Sequence, residues 1–385
     1  MATARAPAGQ RGHWGGVKSW LGKVFELNPA GLNWPRGVLI FDIMLVPLVV
    51  FLAIGHEEYL VSAVFGTLFA GLADPGGGLR YRATHLAVFF ATGAGLTALA
   101  FGIGGTGWGW LVLAAFVITL VAGLAVMYGI HRFVAALLLN VWFVIALALG
   151  FSLHHHAHIT SYTWGQVLAW VGGSALWIAL TFVAWLILGR EDRPPFVAEL
   201  PSDTAGRKLT RPLIMFAVIR AIAIAGAVAI AFGPDLSHGY WLPIATLVAM
   251  KPSLTQTTLI GAQRLAGAMI GAAVAALLLL IPSNEHGSKL LAVDYGLEVV
   301  ALVFLMHGAA TRFWNYAIYC AAIAAGVLIL LDLPQHSNNA AVGYRVLWTL
   351  CGVGIAVAVM LLGGLLAKRS ANAPDQPTTQ PAEAG

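Results

Sequence analysis

Apolar residues in this chain come in long continuous blocks, not in alternation. Twelve blocks stand out, at about 37–55, 57–73, 83–104, 108–128, 133–153, 164–189, 212–232, 238–250, 258–281, 289–307, 313–331 and 343–367. A helix crosses the hydrocarbon core with about 20 apolar residues, and about 17 suffice. Segments 2 and 8 are short by that measure. Breaks fall at Asp74-Pro75-Gly76-Gly77-Gly78, at Gly233-Pro234-Asp235 and at Ile281-Pro282-Ser283, where turn chemistry ends a helix. Continuous blocks predict helices and exclude the alternating pattern of a membrane β-barrel. The expected fold is an all-α polytopic membrane protein with about twelve transmembrane helices.

Composition agrees. Of 385 residues, 59% are hydrophobic and 10% charged, against about 25% charged in a soluble domain. Too few charges remain to cover a soluble fold. The two cysteines, Cys320 and Cys351, sit in apolar blocks and read as core residues, with no disulfide framework. The net charge of +5 is what basic membrane loops require, so no nucleic-acid partner is expected. The first 34 residues are too polar for a cleavable signal peptide.

The basic residues set the orientation. With the N-terminus in the cytoplasm, eighteen of the 21 Lys and Arg fall inside, Lys289 and Arg345 fall outside, and Arg220 lies within a span. Both termini are then cytoplasmic, and lipid is an obligatory partner.

Matches recur at a nearly fixed spacing. Asp74-Pro75 aligns with Lys251-Pro252 at 177, Gly165 and Trp170 with Gly343 and Trp348 at 178, and His131-Arg132-Phe133 with Thr311-Arg312-Phe313 at 180. The chain therefore reads as two parallel six-helix repeats, 35–190 and 212–369, related by an axis along the membrane normal. A segment 1–34 precedes them, a polar linker 191–211 joins them, and a tail 370–385 has a disordered composition. Within the first segment, Val17, Trp20, Leu21, Val24 and Phe25 form one helical stripe flanked by Lys18 and Lys23. It is expected to lie on the cytoplasmic leaflet or to pack on the protein itself.

Charge inside a span is costly and calls for a reason. Arg220 in segment 7 and Asp42 in segment 1 lie at nearly the same depth, so a facing pair beside a substrate path is expected; the alternative is that each reaches the interface. Asp294 and Glu298, four apart in segment 10, would share one helix face. Their mutual repulsion makes them proton-coupling candidates, Glu298 more than Asp294. Segments 2 and 8 are interrupted at matching places, Gly66 and Pro243. Broken segments at matching positions of two halves point to a transport site. Segment 8 also carries Tyr240, Trp241 and Thr246, able to stack on a ring or hydrogen-bond to it. His154, His156 and His158 are weak metal candidates in an outer loop that has no carboxylate or cysteine beside them, so no metal is expected. No Walker A pattern occurs, and no cofactor is expected.

Tyr240-Trp241-Leu242-Pro243-Ile244-Ala245-Thr246, then Lys251-Pro252-Ser253, then Gln263-Arg264-Leu265-Ala266-Gly267 with Gly271, resembles the core motif of the fusaric acid resistance (FUSC) family. Arg220 and Arg345 look like family positions, and Asp74-Pro75 with Arg80 and Arg82 looks like a degenerate first copy. The likeness covers about 35–369 and is strongest from 212 to 272. It lacks the large cytoplasmic domains often found after each half in that family. The resemblance implies a bacterial inner-membrane exporter, not an enzyme, for aromatic or other amphipathic carboxylic acids, driven by membrane potential or a proton gradient. Arg220, Asp42, Tyr240, Trp241, Pro243, Thr246, Arg264 and Lys251 would bind the anion. A homo-oligomer and a periplasmic adaptor protein are compatible partners. The alternatives are an anion channel on the same scaffold and a membrane-embedded envelope or lipid enzyme. The topology has a direct test: single cysteines in the 154–158 loop and the 191–211 linker should label from opposite sides of the membrane, and labelling from one side would remove it.

Overall fold

A computed structural model describes residues 22, 24–76, 78–153, 161–187, 208–250, 254–279, 288–332 and 340–371. Residues 191–207 of the linker, 372–385 of the tail, the histidine loop, Lys251 and most of the N-terminal stripe lie outside the described residues.

The described chain is all-helical, with twelve α-helices matching the twelve expected segments. In the first half these are α1 Trp34–Ile54, α2 Leu60–Ala73, α3 Leu79–Ile103, α4 Trp108–Leu124, α5 Ile130–Leu153 and α6 Ser161–Ile187. In the second they are α7 Arg211–Phe232, α8 Trp241–Ala249, α9 Leu254–Leu279, α10 Ser288–Thr311, α11 Tyr316–Asp332 and α12 Ala340–Ala371. Local chemistry explains several boundaries. Proline stands in the first turn of α1 and of α7, where its missing N–H costs nothing. The Asn33 side chain accepts from the Arg36 N–H at 3.1 Å and caps α1. Gly55 ends α1 in the left-handed conformation, φ 68°.

Nine helices among the described residues are long and apolar enough to cross a membrane. The other three are α2, α8 and α11. The first two were expected to be short; α11 was not. With nine residues, α8 rises only about 13 Å. Neither α2 nor α8 has to meet lipid. Every residue of α2 is buried except Val61, and every residue of α8 except Val248. Lipid is left to the outer faces, where Val49, Val88, Trp110, Val121, Leu168 and Leu277 are exposed.

Packing follows one scheme in both halves. α2 lies on α6 and α8 on α12; α3 packs on α5 and α6, and α9 on α11 and α12. Between halves, α4 packs on α7, and α10 on α1. A specific contact recurs with the scheme. Thr67 Oγ1 donates to the Gly173 carbonyl at 3.1 Å, and Thr246 Oγ1 to the Gly352 carbonyl at 3.1 Å. Both partners are 179 residues further on. Each glycine is there because backbones touch: a Cβ on Gly173 would sit 2.0 Å from the Ala63 carbonyl oxygen, and one on Gly352 2.4 Å from that of Leu242.

The start of the chain is tied to the second half. The Asn28 N–H donates to the Trp314 carbonyl at 2.8 Å and the Asn33 N–H to that of Ala310 at 2.9 Å. Gln263 Nε2 donates to the Val24 carbonyl, and Asn315 Nδ2 to those of Val24 and Glu26. Val24 is buried and Phe25 exposed. At Val24, then, the stripe packs on its own protein.

Adjacent glycines give a controlled test of the α2–α6 seam. Gly172 has nothing within 4 Å of a Cβ, whereas Gly173 meets a carbonyl. Gly172→Ala should leave thermal unfolding in detergent unchanged. Gly173→Ala should destabilise by about 1–3 kcal/mol, the range for overpacking.

Candidate functional site

Helix α2 ends inside the protein, and most of the polar chemistry in the described chain gathers round that end. A helix leaves its last four carbonyls without intrahelical partners. Those of α2 are Ala70, Gly71, Leu72 and Ala73. The Asp74 N–H serves Ala70 at 3.0 Å. Arg36 Nη2, from α1, donates to Gly71 and, at 3.1 Å, to the Asp74 carbonyl. Arg312 Nη1, from the end of α10, donates to Leu72 at 3.1 Å. The His85 imidazole of α3 approaches the Ala73 carbonyl. Cations at a helix C-terminus also meet the favourable end of its dipole.

The Asp74 side chain, fully buried, is the second centre. Its carboxylate accepts from Arg82 Nε at 2.7 Å, from Arg82 Nη2, from Trp177 Nε1 at 3.1 Å and from the Gly76 N–H at 3.1 Å. A two-pronged guanidinium with added donors is what allows an ion pair to be buried. A small cleft of about 10 Å³, room for about one water, lies beside it, lined by Arg36, Asp74, His131, Val134, Arg312 and Phe313. It sits between the halves, at the basic end of the bundle.

Arg220, within α7, is 3% exposed. Its Nη2 donates to the Leu247 carbonyl near the end of α8 at 2.9 Å. Its guanidinium lies over the Phe133 ring, 5.9 Å from the centroid, within cation–π range. Its Nε has no hydrogen-bond partner, and no carboxylate pairs with it among the described residues. Each half thus has an arginine of its first helix capping its short second helix: Arg36 on α2, Arg220 on α8.

The expected pair of Arg220 with Asp42 is not formed. Asp42 is exposed on α1 while Arg220 is buried against α8 and α5. Equal depth did not put them on facing sides. The other expected residues scatter. Thr246 is fully buried, with its hydroxyl bonded to the Leu242 and Gly352 carbonyls, so it acts in packing. Pro243 and Trp241 are buried in α8. Tyr240 packs on Trp241, ring centroids 4.9 Å apart. Arg264 is half-buried on α9. Glu298 is buried with Oε2 unpartnered, and Asp294 is half-buried on the same helix. Lys251 and the candidates His154, His156 and His158 lie outside the described residues. Sequence reading missed Arg36, Arg82 and Arg312 as helix caps and ion-pair partners; it counted them as loop charge and used Arg82 and Arg312 only to match motif and repeat. It missed His85 and His131 as buried groups.

Residues 221–359 match the family model described as fusaric acid resistance protein-like. That stretch holds the motif that carried the resemblance, from Tyr240 to Gly271. No curated protein matches, and no solved structure matches.

The buried ion pair makes a sharp prediction. Asp74→Ala should leave Arg82 buried without its partner and cost about 3–5 kcal/mol. Adding Arg82→Leu to Asp74→Ala should recover part of that loss. A double-mutant cycle by thermal unfolding in detergent measures it, and additive losses would show the pair to be uncoupled.

Proposed function

We propose that this chain is an inner-membrane exporter of aromatic or other amphipathic carboxylic acids, built as two parallel six-helix repeats with both termini in the cytoplasm. The observation that carries the reading is Arg220. A buried guanidinium whose described partners are one carbonyl and one aromatic ring has charge left for an anion. The Phe133 ring beside it suits an aromatic acid. The family match over 221–359 supports transport as the activity. Matched helix pairings and the twin Thr67 and Thr246 contacts support the repeat. The basic cleft lies where the charge bias puts the cytoplasm, at the end from which an exported anion would enter.

Arg220, Phe133 and the cleft residues Arg36, His131 and Arg312 make the entrance in this reading. Tyr240, Trp241 and Arg264 would act further along in the second half, and Lys251 belongs to the same motif. Glu298, buried with one free carboxylate oxygen, is the proton-coupling candidate, with Asp294 one turn away. Asp42 faces outward and takes no part. Outward movement of a monoanion down an inside-negative potential releases about 2.3 kcal/mol per 100 mV, so no ATP is required.

Export of labelled benzoate and resistance to a panel of aromatic acids, at matched expression, test this. Arg220→Lys keeps a donor for Leu247 and loses the planar fork. It should weaken apparent affinity by about 10- to 100-fold, the worth of one charge-assisted hydrogen bond, at near-normal protein level. Asp42→Asn should change nothing. Full transport in Arg220→Lys would remove the guanidinium from the mechanism, and flux without saturation would make the protein a channel.

A further inference from the structure

Asp42 has no part in the transport path, yet its place in α1 calls for a partner. It lies eight residues past Trp34 in a helix of 21 residues, about 12 Å along the axis. Pro35, Val38, Asp42, Val46, Val49 and Ala53 recur at steps of three and four, and all are exposed. They make one helix face with the carboxylate in its middle. Val38 and Val46, one turn to either side, are each 44% exposed. The opposite face is occupied. Gly37, Ile40, Met44 and Leu48 are buried, and a Cβ on Gly37 would meet that of Ala310 in α10 at 2.8 Å. Among the described residues nothing pairs with Asp42. No other described charged side chain is exposed beyond the first turn of a membrane-spanning helix. The repeat supplies a comparison: past its first two residues, α7 exposes Ile214, Met215, Ile222, Gly226 and Ile230, and no charge.

A carboxylate facing hydrocarbon is costly, and an aspartate is too short to reach the headgroups from that depth. This face of α1 therefore has to be covered by something that serves a carboxyl group. We propose that it packs in parallel on the same face of a second copy of this chain, with the two Asp42 carboxyls hydrogen-bonded to each other across a two-fold axis along the membrane normal. The inference is independent of transport and rests on the placement of α1 in a membrane.

Symmetry selects this occupant. Copies inserted in the same direction close as a dimer round an axis along the membrane normal, and a helix beside that axis meets its twin residue for residue. Asp42 then meets Asp42 at equal depth. Two carboxyl groups with one proton between them donate and accept within the pair. Lipid tails offer no such bond. A contact with a different face of the same chain would bring no charge to Asp42, since no other described span exposes one. The valines around the pair suit a helix partner better than fluid lipid. Their one favoured rotamer in a helix leaves little freedom to lose on packing, and polar groups bonded across helices hold such contacts together.

Oxidative crosslinking in native membranes tests the contact, with single cysteines placed in the full chain after Cys320→Ala and Cys351→Ala. Val38→Cys and Val46→Cys should each give a crosslinked dimer of this chain. Ile222→Cys on α7 and Val88→Cys on α3, both exposed, should not. Monomer alone at positions 38 and 46, equal crosslinking at all four positions, or capture of a different polypeptide by Val38→Cys overturns the proposal. Energy transfer between labelled copies, diluted stepwise into liposomes, then measures dimer dissociation. Asp42→Leu should raise the dissociation constant about 5- to 30-fold, the worth of a polar contact between helices. Asp42→Asn, which keeps a donor and an acceptor on each copy, should stay near wild type. Thermal unfolding of the Asp42→Leu monomer in detergent should not change, because Asp42 touches nothing within its own chain. A dissociation constant indifferent to Asp42→Leu, or a monomer that Asp42→Leu unfolds, overturns the acid pair and leaves the exporter reading standing.

Discussion

A helix that stops inside a membrane protein leaves carbonyl groups where little water can reach them, and α2 stops in this way. Its final carbonyls are met by groups from α1, α3 and α10 and by the next backbone N–H. Each unmet carbonyl would cost several kcal/mol in such surroundings, so these contacts are a condition of the short helix existing at all. They also fix geometry between the halves. Arg312 belongs to the second half and Leu72 to the first, and their bond pins the α10 end to the α2 end. The carboxylate of Asp74, one residue past the helix, then requires Arg82, which fixes the start of α3, and Trp177, which fixes α6. One buried helix end thus organises five helices.

Helix α8 poses the same problem with a different answer. Its carbonyl at Leu247 takes Arg220. No aspartate occupies the position that corresponds to Asp74; the aligned residue is Lys251. The first half therefore closes its cluster with a balanced ion pair, while the second leaves a buried cation beside an aromatic ring. The ends of the two short helices therefore differ in charge.

The helices were legible because apolar blocks are a direct record of lipid contact and burial. Legible too were the shortness of α2 and α8 and the unusual placement of Arg220. What could not be read was rotation about a helix axis. Asp42 and Arg220 share a depth in the sequence pattern, but depth along a continuous apolar block says nothing about which face is buried, and Asp42 faces out. The same blindness hid His85 and His131. Each lies near a helix start among basic residues, where a histidine reads as solvated. Only the packing of α3 on α5 shows that both turn inward. Arg36, Arg82 and Arg312 were counted correctly as charges of one end, yet their partners are carbonyls and a carboxylate brought close by chain reversal, which spacing does not encode.

The motif behind the family resemblance divides by task once its residues are placed. Pro243 and Thr246 set the packing of α8 on α12. Gln263 holds the Val24 carbonyl and, with Asn315, ties the start of the chain to α9 and the α10–α11 turn. Gly267 and Gly271 let α9 approach α11 so closely that a Cβ would meet the Ala317 and Ala321 carbonyls. These are scaffold tasks. The residues that the proposed export reading would use, at the Arg220–Phe133 face and in the small cleft between Arg36, His131 and Arg312, are five, and none of them lies within the motif. Motif likeness can therefore report transport while leaving the substrate open, because the residues that would choose it are set by the junction of the two halves.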